Sequence, residues 1–376
     1  MRLDAVKHRL ASYVSAEITD IYGIPLDVKE VEVRSLNDVR LKSVTLLGLA
    51  GDTIVCADEA RVYLQTKRLL DGEVRVNTLV FAAPEIRLSR ATPESELNIQ
   101  YLVDILNGNK KDEKSKIDLR INQLLVYDGL FSYDVLSEVR DSAKFDPYHI
   151  LVNDFACNLS LKKLRGDELD LNIRSIGGKE QCGLSVDRLR TRVVREGNNF
   201  YLNNLSLRTP ASNLTADKIE ISADSTFSDI ILAGCIKSSC FAPDDLVPFV
   251  GAVKKGISPF EFSLDGYYSK DSIDADISTV ATDDSFGAKA KIVLSAPFAE
   301  QRKGRLIVDE CFVNKDIATT FLALANLDSL NYDIAERLGD TFVKADVQFD
   351  KEAVGGKAWV SCNSGSVAVD GSLRTN

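Results

Sequence analysis

The sequence predicts a mainly β protein, built from short antiparallel strands with an N-terminal amphipathic helix and a few short inserted helices. Three observations carry that expectation. Apolar and polar residues alternate with a period of two along most of the chain, as in "GDTIVCADEARVYL" (51–64) and its echo "ADKIEIS" (216–222), the pattern of strands with one buried face. Turn-forming residues recur at intervals of roughly ten residues, the spacing of an all-β domain. Helical periodicity is confined to a few short stretches.

The first of these is Leu3 to Tyr22, where Leu3, Val6, Leu10, Val14, Ile18 and Ile21 fall at steps of three and four and make one apolar stripe. Gly23 supplies a left-handed cap and Pro25 stops the helix. From Leu26 to about Arg90 the period changes to two, with Gly48, Gly51, Gly72 and Pro84 read as turns, so a meander of antiparallel strands is expected. The segment "ESELNIQYLVDILNG" returns to helical spacing through Leu97, Tyr101 and Ile105, giving a helix near 97–107 that Gly108 ends. Strands resume after it, with turns expected at Asp128–Gly129, Gly177–Gly178, Gly197–Asn199 and Thr209–Pro210.

A further helix is expected near 243–255. Asp244 and Asp245 favour its start, Leu246, Phe249 and Val250 form its stripe, and Gly256 ends it. Another helical segment, 315–338, is interrupted near Asn326 to Asp328, and the remaining segments return to period two. The chain thus divides into a helix (1–25), a β region (26–242) and a continuation of it (243–376).

Composition narrows the function. The net charge of −10 argues against nucleic acid, because neutralising phosphates takes a clustered excess of Lys and Arg. The basic stretch Gly108 to Lys116 also carries acids and reads as a solvated loop. The two histidines, His8 and His149, are far apart in sequence and read as structural. No Cys or His spacing matches a zinc motif, and no nucleophile elbow or phosphate-cradling loop occurs. No enzyme activity and no cofactor are therefore expected. Seven cysteines are scattered along the chain, and Cys235 and Cys240 alone are near enough in sequence for a local disulfide, a pairing the spacing leaves open. No run of about 18 apolar residues is present. Met1 is the only methionine and the tail "SGSVAVDGSLRTN" stops inside a strand pattern, so a fragment of a longer protein is expected.

On strand after strand one face is apolar: Val62 and Leu64, Val74 and Val76, Leu119 and Ile121, Leu159 and Leu161, Leu169 and Leu171, Leu205 and Leu207, Ile219 and Ile221. Such a face has to be covered. Two closures satisfy it, a sandwich or barrel with a filled interior, or a sheet bent into a trough with an apolar floor. Aromatic residues make up only 7% of the chain, so the walls are aliphatic, which suits acyl chains and an ordinary β core alike.

The order and spacing of several segments closely resemble the N-terminal part of TamB-like proteins of the AsmA superfamily of Gram-negative bacteria. They are the amphipathic helix, "VEVRSLNDVRLKSVTLLGLAGDTIVCADEARVYLQTKRLLDGEVRVNTLVFAAPEIRLSR", "SELNIQYLVDIL", "FDPYHILVNDFACNLSLKKL", "GGKEQCGLSVDRLRTRVV", "FYLNNLSLRTPASNLTADKIEIS" and "IAERLGDTFVKADVQF". The resemblance implies an elongated, strongly curved antiparallel sheet forming an apolar groove, a β-taco. It implies phospholipid as the ligand, with the apolar pairs named above lining the groove. It also implies a periplasmic protein, held in the inner membrane by an N-terminal anchor and meeting an outer-membrane barrel partner through a C-terminal domain. The anchor and that domain are expected to lie outside this sequence. An alternative role is a binding module that assists assembly or secretion of outer-membrane β-barrel proteins. A β-solenoid enzyme or adhesin fits less well, because the repeat is irregular and helices intrude.

Overall fold

A computed structural model describes residues 23–35, 37–65, 74–106, 117–118, 122–140, 145–165, 167–223, 229–249, 258–299, 301–315, 317 and 339–374. The chain is mainly β and divides into two compact units, Met1–Val194 and Arg195–Asn376. The helix expected over Leu3 to Tyr22 lies outside the described residues. Of the helical segment 315–338, Lys315 and Ile317 alone are described.

The first unit contains β1 (Leu26–Val33), β2 (Asp38–Leu47), β3 (Thr53–Leu64), β4 (Val74–Ala82), β5 (Glu85–Arg90), α1 (Gln100–Leu106), β6 (Ile117–Asp118), β7 (Gln123–Val135), β8 (His149–Arg165), β9 (Glu168–Glu180) and most of β10 (Ser185–Glu196). Pairs β1–β2, β2–β3, β7–β8 and β8–β9 are antiparallel. The expected all-antiparallel meander is corrected at one place. Strands β4 and β5 are two halves of a single line, broken at Ala83–Pro84; both pair antiparallel with β3 and parallel with β7. The segment between β5 and β7, which contains α1, is the crossover that a parallel pair requires. Its start is tied to the β2–β3 turn, where Tyr101 Oη donates to Leu47 O at 2.7 Å and Asn98 Nδ2 to Asp52 Oδ2 at 2.7 Å.

Near their middles these strands hold residues in the left-handed region: Ser43 (φ 51°), Ala83 (47°), Asp128 (52°), Asp154 (52°) and Gly178 (154°). The register lines them up. Ser43 sits between the pairs Lys42↔Glu59 and Val44↔Ala57, Ala83 between Ala82↔Glu59 and Glu85↔Cys56. Gly129, next to Asp128, is opposite Phe155, next to Asp154, and Ala156 is opposite Gly177, next to Gly178. The ladder continues through the break, with Ala83 N donating to Tyr127 O and Leu130 N to Pro84 O, each at 2.8 Å. At this level the register shifts between β7 and β8 and between β8 and β9, while β2 and the β4–β5 line stay in register with β3 through their left-handed residues; a bulge bends its strand and increases its twist, so this line of irregularities puts a crease across the sheet. Asp128–Gly129 and Gly177–Gly178, expected as turns, therefore lie inside long strands, and Pro84, also expected as a turn, lies in the break between β4 and β5. Gly178 is required twice over, by its φ and because a Cβ there would run into Val152 and the Asn153 carbonyl.

The second unit is an uninterrupted antiparallel meander of β11 (Asn199–Arg208), β12 (Asn213–Ala223), β13 (Ile230–Phe241), β14 (Phe260–Tyr268), β15 (Ser272–Ala281), β16 (Phe286–Ser295), β17 (Lys303–Val313), β18 (Thr341–Phe349), β19 (Ala353–Cys362) and β20 (Gly365–Arg374). Side chains close its turns: Ser212 N donates to Thr209 Oγ1 at 2.7 Å, Ser272 N to Ser269 Oγ at 3.0 Å and Ala353 N to Asp350 Oδ1 at 2.9 Å. In place of the helix expected over 243–255, the described part holds one 3-10 turn, Pro243–Leu246. Asp245 is drawn from helix capping into accepting hydrogen bonds from Thr209 Oγ1 at 2.6 Å and Ser212 Oγ at 2.5 Å.

Among the described residues, each unit shows one buried cluster. In the first, Val39, Leu41, Val44, Ala60 and Leu64 pack with Leu26, Val28, Val31, Val33, Val62, Val76 and Phe81. In the second, Ala281, Phe286 and Ile317 pack with Phe260 and Val313.

Candidate functional site

Among the described residues, one face of the second unit's sheet is predominantly apolar. Cross-strand register runs Leu205, Ala216, across to Leu264, Ile277, Ala290, Val308, Ala345, Ala358 and Val369 in one row. A neighbouring row runs Ala275, Ile292, Leu306 and Val347, and the next Tyr268, Ile273 and Leu294. The face spans ten strands, and nine gaps of about 4.8 Å make it about 43 Å long.

A left-handed residue resets the alternation on this face. Asn204 (φ 52°) lies between the pairs Asn203↔Lys218 and Leu205↔Ala216, so the inward side steps by three residues from Leu202 to Leu205 and from Ala216 to Ile219. On β13, Gly234 meets the same level, and a Cβ there would come within 2.7 Å of Lys218 O. Both strands take this step together, so their register is kept across it.

Burial separates this face from a packed core. Leu264, Ile277, Ala290, Val308, Ala345 and Ala358 are all only partly buried, and Leu232 on the same face is 38% exposed. The fully buried cluster sits at one margin, where Phe260 stacks edge-on against Phe241 and Phe286 with ring centroids 5.3 and 5.0 Å apart. At the opposite margin Tyr268 meets Phe298, which is 73% exposed.

The other side of the sheet carries ion pairs, interspersed with exposed apolar side chains such as Val280, Phe342 and Trp359. Arg305 makes two parallel hydrogen bonds to Asp346, at 2.8 and 2.7 Å, Lys289 meets Glu310 at 2.8 Å and Lys291 meets Asp276 at 3.0 Å. The Arg305 and Lys289 partners hold the Asp346 and Glu310 carboxyls below their ordinary range, chiefly by hydrogen bonding. An open concavity of about 710 Å³ lies on this side, lined by Arg305, Asp346, Lys357 and Asp370 together with Val293. Compared with family models, curated proteins and solved structures, the chain matches none.

The residues expected from sequence to line a groove fall into three sets. Val62, Leu64 and Val76 belong to the filled cluster of the first unit, with Leu64 only 5% exposed, and so pack against protein. Leu159, Leu161, Leu169 and Leu171 share one face of β8 and β9, where Leu161 faces Leu171 and Leu159 faces Ile173, and all four are partly buried. Leu205, Leu207, Ile219 and Ile221 share one face of β11 and β12, opposite Ala216, Leu214, Leu202 and Phe200 respectively. Leu119 and Ile121 lie outside the described residues, as does the side chain of Val74. The expectation omitted the inward residues of β14 to β19, although Leu264, Ile277 and Ile292 show the same alternation.

Among the described residues no cluster of His, Cys, Asp or Glu is arranged to hold a metal ion. Cys235 and Cys240 are free thiols on one strand, β13. Five residues of extended chain separate them by about 16 Å, far beyond the reach of a disulfide.

Proposed function

We propose that the chain carries the acyl chains of phospholipid along an apolar groove formed by its bent sheets, as a TamB-like protein of the AsmA superfamily acting in the periplasm between inner and outer membranes. The observation that carries this reading is the second unit's face, apolar across ten strands and only partly buried in its central row from β14 to β19. A sheet whose apolar side is left half-covered by protein has room for an apolar ligand. Lipid in water exposes its chains at a cost of about 0.8 kcal/mol per CH2. An uninterrupted aliphatic floor removes that cost while the head group stays in water. One acyl chain reaches half of a bilayer's hydrocarbon, about 15 Å, so a face of about 43 Å holds it entirely. The creases support the groove, because they bend neighbouring strands at one level.

Gentle purification followed by native mass spectrometry tests the proposal. Phospholipid is expected to accompany the protein, and Leu207→Asp or Ile292→Asp is expected to remove it while the far-ultraviolet circular dichroism stays unchanged. Lipid-free protein from cells rich in phospholipid would sink the reading.

A second reading, a module that offers a sheet edge to nascent strands of outer-membrane barrels, is favoured by β20. Every residue of that strand is exposed, and among the described residues it pairs with β19 alone. It predicts cross-links from unfolded barrel segments to the β20 backbone that are insensitive to Ile292→Asp.

A further inference from the structure

His149 opens β8 and is 6% exposed. Its ring nitrogens face two different acceptors. Nδ1 lies 3.0 Å from Asp134 Oδ1 near the end of β7, and Nε2 lies 3.1 Å from the backbone oxygen of Glu138 in the turn that follows. The same Asp134 oxygen already accepts from Arg140 Nη2 at 2.7 Å, and a peptide oxygen has no proton to give. A neutral imidazole has one N–H. It satisfies one of these acceptors and sets a lone pair against the other, whereas the doubly protonated ring donates to both.

We infer that His149 is a proton-operated latch: doubly protonated, it fastens the turn 136–140 to the ends of β7 and β8, and loss of one proton releases half of the fastening. The charged groups around it fit this role. On β7, Asp134 receives both His149 and Arg140; in the turn before β8, Asp146 accepts from Tyr148 N through its carboxylate and from His149 N through its backbone oxygen. On β9, Glu180 accepts from Leu151 N, and Gln181 Nε2 reaches His149 O at 3.5 Å. Arg90 on β5 is engaged by Pro93 O and the Tyr133 ring. The latch therefore meets carboxylates and carbonyls, and Arg140 shares its acceptor.

Three amides report the state of the turn: Leu136 N bonds to Arg90 O at 2.9 Å, Ser137 N to Ala91 O at 3.0 Å and Glu138 N to Val135 O at 3.1 Å. The test is hydrogen exchange of these amides at one mildly acid and one mildly alkaline pH, corrected for intrinsic rates. In the wild-type chain their protection is expected to be about tenfold greater on the acid side, the worth of one hydrogen bond to a charged group. Asp134→Asn gives a side chain that can donate to Nδ1 while Nε2–H still donates to Glu138 O, so protection is expected to stay high and become equal at both pH values. His149→Gln is expected to lower protection and flatten it. Equal protection of the wild-type amides at both pH values, or pH dependence surviving in Asp134→Asn, would overturn the latch.

Discussion

Replacing Ala83 by glycine is expected to stabilise the protein, against the usual rule for strands. Ala83 stands between β4 and β5 with φ 47° and its side chain exposed. Holding an L-residue there costs about 1–2 kcal/mol, and removing the Cβ relieves it. The greater freedom of glycine in the unfolded chain costs about 0.5–1 kcal/mol, and no packing is lost. The net gain is about 0.5–1 kcal/mol. The neighbouring Ala82→Gly is the control: Ala82 is also exposed but lies in regular strand, so it is expected to lose about 0.5–1 kcal/mol. Urea unfolding followed by circular dichroism reads both. If Ala83→Gly destabilises as much as Ala82→Gly does, the left-handed break is not a strained feature and the crease reasoning fails.

The filled and half-filled faces are expected to respond differently to truncation. Leu41→Ala, in the buried cluster at 5% exposure, should cost about 2–5 kcal/mol, while Ile277→Ala on the partly buried face should cost about 1–2 kcal/mol, both by urea unfolding. Arg192, which bonds Asp170 at 2.8 and 2.7 Å, holds that carboxyl below its ordinary range. The stability this gives is present above ~3.9, the unfolded value, and is lost as pH falls through the lower folded value, so Arg192→Met should flatten the acid limb of a stability–pH curve. Burial pushes the Cys157 thiol up to about 11, so iodoacetamide at mildly alkaline pH should label the exposed Cys56 and reach Cys157 only on unfolding, as peptide mapping would show.

The fold class was legible because the period of two is a direct record of one-sided burial, and Ala60, Val62 and Leu64 do point inward together. Pairing direction was not legible. Nothing in "EVRVNTLVFAAPEIRLSR" says that β4 and β5 take β7 as a parallel neighbour, because that choice is made by the crossover through α1. The turn signals at Asp128–Gly129 and Gly177–Gly178 were real local chemistry with the wrong consequence. A hairpin turn and a mid-strand bulge both ask for positive φ, and only the partner strands decide between them. The echo that joins "ADEARV" to "ADKIEI" has the same origin: Ala57 and Ala60, like Ala216 and Ile219, turn inward three residues apart where the neighbouring strand holds a left-handed residue, Ser43 or Asn204. Within the candidate site, the apolar pairs were visible but their covering was not. Whether Leu64 meets protein or Ile277 is left half-open depends on what stands above the sheet, which alternation does not encode. His149 was read as structural because its partners, Asp134 and the Glu138 carbonyl, become neighbours only when β8 folds back on β7.

Photo-crosslinking on the two sides of β15 tests the account most directly. A photoreactive amino acid is placed at Ile277, on the apolar face, or at Asp276, beside it on the face that carries the ion pairs, and the protein is irradiated with phospholipid vesicles. The account predicts lipid adducts at position 277 and none at 276. Equal adducts at both positions, or none at 277 in folded protein, would contradict it.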